Sequence, residues 1–280
     1  NIIAGARVTG TGIPAGAYIA SITDSTHFEL SAATTGGAVT NGTLTFYKNS
    51  GNTNIAIGSY TLDATTSGFS NVAIGHNAGT AVTSAGGNVA VGHEALRTED
   101  QDGGNVAIGY QALKVQNTNS SNNVAVGYQA ALNLNGGTDS VYLGYLAGGV
   151  GVIIGDQNVA IGKGAALNAT GMDSSVFVGQ SSGGSGVITG AENTCVGRSS
   201  GYALTSGASN VLIGRNTGLL LTAGVDNIAI GAYALDAANT AGGGSDGGSE
   251  NYNIAIGKSA MGAESTGAEY CVAIGTSALA

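Results

Sequence analysis

A polar residue, three apolar residues and a glycine form a five-residue word that returns after a nearly fixed interval. Asn54-Ile55-Ala56-Ile57-Gly58 returns as Asn71-Val72-Ala73-Ile74-Gly75, as Asn88-Val89-Ala90-Val91-Gly92 and as Asn105-Val106-Ala107-Ile108-Gly109. The closing glycines are Gly58, Gly75, Gly92, Gly109, Gly127, Gly144, Gly162, Gly179, Gly197, Gly214, Gly231, Gly257 and Gly275. They fall 17 or 18 residues apart, except for one interval of 26. A fixed short period means a solenoid in which each repeat is one coil. A coil this short cannot hold two helices, and it fits two short strands and two turns. The pattern therefore predicts an all-β chain, a parallel β-solenoid or β-roll of about 13 coils over residues 51–280.

The columns of the repeat assign tasks within a coil. Positions are counted here from the closing glycine of each coil. Positions −3 and −1 are Val, Ile or Leu, with Thr194 as the one exception, and share one face of the strand. Position −2, on the other face, is Ala in nine of thirteen copies, with Tyr142, Phe177, Cys195 and Leu212 as exceptions. Both faces are apolar, which predicts a strand covered on both sides. One face fills the coil. The other meets neighbouring chains or is folded under long loops of its own chain, and the Ala face is the one on which the expectation of assembly rests. Burying only one face would leave an exposed apolar stripe.

Position −4 holds Asn54, Asn71, Asn88, Asn105, Asn123, Asn158, Asn193, Asn210, Asn227 and Asn253, with Ser140, Ser175 and Cys271 elsewhere. Stacked one coil apart, about 4.8 Å, these amides are expected to form a ladder that satisfies turn backbone groups. Position +3 is always Ala, Ser or Thr, which predicts a tight second strand, with Leu62, Leu96, Leu113, Leu235 and Leu279 next to it filling the interior. Val150 to Gly155 echoes the repeat word inside a normal interval and reads as a second strand. Residues 241–250, rich in Gly and Ser, read as a flexible excursion in the long interval.

Residues 1–50 lie outside the repeat and predict a small β module. Four stretches have strand character, at Ala6 to Thr9, Ala17 to Ile22, His27 to Ser31 and Thr43 to Tyr47. The Gly10 and Gly12 pair lacks the strand-turn-helix setting of a dinucleotide site.

Composition supports a thin core stacked many times. The chain has 280 residues with 50 Gly, one Pro, no Trp and 5% aromatics. Net charge is −9, from 17 acids and 8 bases, which argues against nucleic-acid binding. The acids read as dispersed along the sequence. No apolar run is long enough for a membrane helix, so no membrane insertion is expected. The chain starts at Asn1 without Met and ends inside a repeat, which reads as a segment of a longer polypeptide. Cys195 and Cys271 stand in different columns about four coils apart, too far for a disulfide, and Cys195 reads as a buried thiol.

Asn-Val-Ala-Ile-Gly followed by a small residue resembles the head repeat of YadA-like trimeric adhesins, and similar repeats occur in bacteriophage tail fibres. The resemblance covers about residues 51–280 and implies a left-handed parallel β-roll with three chains around one axis. This repeat is longer than the adhesin unit. The stretches Val8 to Gly16 and Gly42 to Phe46 resemble short β modules of phage tail and virion proteins. Together these imply a homotrimeric structural fibre protein of a phage tail, located in the virion or outside the cell. Its expected partners are other virion or tail proteins and a host-surface glycan or protein. A bacterial trimeric autotransporter-type adhesin is the alternative, and a glycan-cleaving tailspike is a third reading, disfavoured because repeated acids at equal positions are not seen.

No catalytic set, cofactor site or metal site is expected. Gly257-Lys258-Ser259 copies the end of a phosphate-binding loop, but Tyr252 stands where that motif needs Gly. Glu99, Asp100 and Asp102, and again Asp246 and Glu250, match no calcium pattern. His76 and His93 lie one coil apart with no third ligand column. The candidate site is position +1, an exposed stripe with His76, His93, Tyr110, Tyr128, Tyr145, Lys163, Arg198 and Arg215. Tyr faces on such a stripe would suit a host glycan.

Overall fold

The computed structural model describes residues 7–9, 13, 17–22, 28–30, 45–47, 53–98, 101–116, 119–149, 151–236, 251–262 and 268–279. It is all-β, with no helix among them. Thirteen three-residue strands, from Ile55–Ile57 to Val272–Ile274, form one parallel sheet in which each strand pairs with the next coil in strict register. Val89 faces Val106, Ala90 faces Ala107 and Val91 faces Ile108. The coils are numbered 1 to 13 by their closing glycines, Gly58 to Gly275. In the N-terminal module Arg7–Thr9 pairs antiparallel with Thr45–Tyr47, and Ile19–Ile22 with Phe28–Leu30.

The closing glycine has two reasons to be glycine. Its φ is near +130°, a conformation that L side chains rarely adopt. A Cβ on Gly58 would also lie 2.6 Å from the carbonyl oxygen of Gly75 in the coil above, and the same approach recurs up the stack. After the glycine the backbone does not form the expected second strand. Positions +2 and +4 have positive φ, as at Glu94 (55°) and Leu96 (51°), so right- and left-handed residues alternate and the chain curls through turns. Each non-glycine residue held this way costs about 1–2 kcal/mol. Inter-coil hydrogen bonds offset it: the Glu94 N–H donates to the His76 carbonyl at 2.9 Å, and the Leu96 N–H to the Ala112 carbonyl at 3.0 Å. Among the described residues a second pair of strands forms at Val115–Gln116 with Asn133–Leu134, with Ile153 bridging to Leu134, and single bridges join Phe69 to Gly86 and Asn251 to Glu269.

The assignment of the two strand faces reverses the sequence expectation. From coil 2 onward the −2 column, with Ala73, Ala90 and Ala107, is buried inside the coil, and Tyr142, Phe177, Cys195 and Leu212 are buried at the same level; only Ala56 in the first coil is exposed. The β-branched columns at −3 and −1 face outward, with Ile108 and Ile230 each 38% exposed. A coil of this length encloses too little volume for two rows of β-branched side chains, so the small face turns inward.

The interior is filled by exchange between two positions of the same coil. Where −2 is Ala, position +4 is Leu, Met or Ala, as in Ala90 with Leu96 and Ala255 with Met261. Coil 2 is the exception, with Gly79 at +4 and Val82 buried beside it. Where −2 is large, +4 is Gly: Tyr142 with Gly148, Phe177 with Gly183, Cys195 with Gly201, Leu212 with Gly218. A Cβ on Gly183 would lie 2.7 Å from the Phe177 ring. Leu62, Leu96, Leu113 and Leu235 fill the interior as expected, whereas Leu279 in the last coil is 64% exposed.

The buried −4 column ties the coils together. The Asn71 N–H donates to Oδ1 of Asn54, and the Asn71 Nδ2 donates to the Ala85 carbonyl fourteen residues ahead. The same two bonds recur at Asn123 and Asn210, whereas the Asn193 N–H donates to Ser175 Oγ and its Nδ2 to the Gly207 carbonyl. Coils of 18 residues displace that carbonyl. In two of them Ser replaces Asn: the Asn158 N–H donates to Ser140 Oγ at 2.9 Å, while the Ser140 hydroxyl turns to the Thr138 carbonyl. In a third, Asn105 keeps its acceptor role, but its Nδ2 is buried with no partner among the described residues. In the fourth, Asn253 Nδ2 reaches fifteen residues ahead, to Ala268.

Candidate functional site

The +1 column begins where the glycine bend throws the chain outward. Its side chains are exposed, and the one-coil rise sets them face to face. His76 and His93 stack with ring centroids 5.2 Å apart, His93 and Tyr110 at 5.2 Å, Tyr110 and Tyr128 at 5.0 Å, and Tyr128 and Tyr145 at 5.3 Å. The rings are within 14° of parallel. Lys163 Nζ closes the upper end 5.7 Å from the Tyr145 centroid, and Tyr60 meets the lower end edge-on. Six of the eight residues picked from sequence thus form one contiguous stack. Arg198 and Arg215 continue the column beyond Gln180, and Arg215 lies over the Tyr233 ring at 4.7 Å.

This geometry removes the warrant given for sugar stacking. A glycan packs on ring faces, and these faces are covered by the neighbouring rings. What the stack offers to a partner is a row of ring edges, hydroxyls and imidazole nitrogens. For a metal, no group of three or more His, Cys, Asp or Glu side chains comes together among the described residues. Glu99, Asp100, Asp246 and Glu250 lie outside those residues. Lys258 and Ser259 sit on a β-coil bend with no helix behind them.

Beside the stack lies a polar network. Glu94 accepts from Lys114 Nζ at 2.8 Å, Arg97 Nη1 at 3.1 Å and Gln111 Nε2 at 2.8 Å. Gln111 Oε1 in turn accepts from Gln129. The Lys114 hydrogen bond, with Gln111 and the Arg97 charge, holds the Glu94 carboxyl down at about 2. Cys195 is free and fully buried, and burial pushes its thiol up.

Sequence reading missed a second edge. Asp139, Asp156, Asp173, Glu192, Asp226 and Glu269 all stand at position −5 or −6, at the start of the strand, and all are exposed. Six of the 17 acids therefore share one corner, while the others are spread along the chain. Because the acids are divided between two neighbouring offsets, a search at a single offset does not find the row. Asp156 Oδ1 accepts from the Thr138 N–H, and Asp173 Oδ1 from the Asp156 N–H, so the row is tied from coil to coil. Among the described residues no helix is long and apolar enough to cross a membrane. Compared with protein families, with characterised proteins and with solved structures, the chain finds no match.

Proposed function

We propose that the chain is a rigid spacer of an extracellular fibre, of the kind carried by bacteriophage tails, built from three copies packed side by side. The observation that carries this reading is the outward apolar face. Two rows of Val, Ile and Leu run along all thirteen strands, about 60 Å at the strand spacing, and only Thr194 interrupts them. Monomeric soluble proteins rarely expose so long a continuous apolar strip. A flat sheet face of constant width suits identical neighbours laid parallel, which a cyclic arrangement closes without loose edges. Stiffness follows from the stacking, since each coil hydrogen-bonds to the next along both sides of the turn. Reading a host surface is a secondary role in this proposal, carried by exposed residues outside the contact between chains.

The test is to place charge on the outer face alone. Val126→Lys with Ile161→Lys alters side chains that do not enter the coil, so circular dichroism should keep the wild-type β signal. The solution mass should fall from three chains to one. Wild-type protein that is monomeric at micromolar concentration overturns the proposal.

A further inference from the structure

The two corners that flank the outer face carry complementary charge. Of the eight Lys and Arg residues in a chain of net charge −9, four stand in the +1 column: Lys163, Arg198, Arg215 and Lys258. None of the four forms an ion pair among the described residues; the ion pairs described both belong to Glu94. The six acids at −5 and −6 likewise form no ion pair among the described residues, and the oxygens of Asp139, Asp156, Asp173, Glu192 and Glu269 are held by hydroxyls, amides and backbone N–H groups. Cations stand at one end of the strand and acids at the other, and no ion pair joins the two corners among the described residues.

The two corners also change character within one coil of each other. In coils 2 to 5 the +1 column is aromatic, and the opposite corner is uncharged, with Gly86, Gly87, Gly103 and Gly104 in coils 3 and 4. From coil 6 upward the opposite corner carries acids in coils 6, 7, 8, 9, 11 and 13, and from coil 7 the +1 column carries cations in coils 7, 9, 10 and 12. Coil 7 has Lys163 with Asp156, and coil 9 has Arg198 with Glu192. The cations of coils 10 and 12 each stand one coil from an acid, and two corners of one chain that never touch have no intrachain reason to become charged over the same stretch of coils.

We infer that the +1 corner docks against the −5/−6 corner of a second copy of this chain, parallel and with coils level. This deepens the proposed side-by-side assembly and rests on it. Ring edges of the stack lie on the glycine corner, cations meet carboxylates above them, and the apolar faces close between. Each chain uses two different corners, so the contact is head-to-tail and closes as a ring. The charges fix register and partner orientation, the usual task of complementary rim charges.

Crosslinking tests this directly. Glu192→Cys and Arg198→Cys are combined in a Cys271→Ser background, treated with a short bismaleimide and run on a denaturing gel, with the untreated mass measured in parallel. Covalent dimers and trimers support the inference. A multimeric mass with no crosslink, crosslinking by Arg198→Cys alone, or preferential crosslinking of an Arg198→Cys and Asp156→Cys pair two coils apart overturns it and leaves the spacer reading standing. A monomeric mass overturns both. Independently, reversing the four cations to Glu should raise the concentration needed for assembly at least about tenfold, and reversing the acidic corner as well should restore it.

Discussion

Replacing Leu212 by Ala and Gly218 by Leu removes three carbons from one side of coil 10 and adds four on the other, so its contents change by a single methyl group. Leu212 is fully buried, and Leu→Ala at such a site costs about 2–5 kcal/mol through lost burial and the cavity left behind. Gly218→Leu alone meets Leu212, whose Cδ1 lies 2.9 Å from the position of the new Cβ, and overpacking costs about 1–3 kcal/mol. Holding Leu at the Gly218 φ of +57° adds about 1–2 kcal/mol, a conformation that Leu235 already adopts at +51° in the next coil. In the double variant the cavity and the clash cancel, and coil 10 becomes a copy of coil 11, with its Ala229 and Leu235. The double variant should therefore lie within about 2 kcal/mol of wild type, with a coupling of at least about 2 kcal/mol between the sites. Urea unfolding midpoints at matched protein concentration measure all four corners of the cycle. Additive losses would refute the idea that −2 and +4 share one interior volume.

Three further outcomes follow from named contacts. Asn193→Ser should destabilise by about 1–3 kcal/mol, since it leaves the buried Gly207 carbonyl without its donor, whereas Asn105→Ser should be neutral or stabilising because it removes a buried unpaired Nδ2; unfolding midpoints compare them. Under native conditions a thiol reagent should modify one cysteine per chain, Cys271, and reach the fully buried Cys195 only after denaturation, as mass spectrometry of the labelled chain would read. Glu94 has its folded value depressed from the ordinary 4.5 to about 2, so its stabilisation is present above pH about 4.5 and is lost as pH falls towards 2. Melting curves of wild type and Glu94→Gln should differ at pH 6 and converge at the acid end of that window.

The coil period was legible because every coil must repeat the same bend, and Gly58 to Gly275 mark it. The Asn column was legible for the same reason, since each amide meets the same backbone groups one coil on. Which strand face is inside was not, because alternation separates two faces without saying which encloses the smaller volume; Ala90 and Val91 look equally apolar until the coil is closed. The expected second strand failed at residues such as Glu94 and Leu96, whose left-handed backbone follows from inter-coil bonds rather than from their own preference. The Tyr142–Gly148 exchange was present in the sequence, but it joins two columns and is invisible when each column is read alone. The stripe from His76 to Lys163 was found by position, while its stacking, which covers the ring faces, needed the coil rise.

The central claim is that this chain works as one member of a side-by-side assembly, and sedimentation equilibrium of the full chain tests it most directly. With a chain mass of 27.0 kDa, the account predicts a single species of about 81 kDa, three chains, across micromolar concentrations. A species of 27.0 kDa over the same range would contradict it.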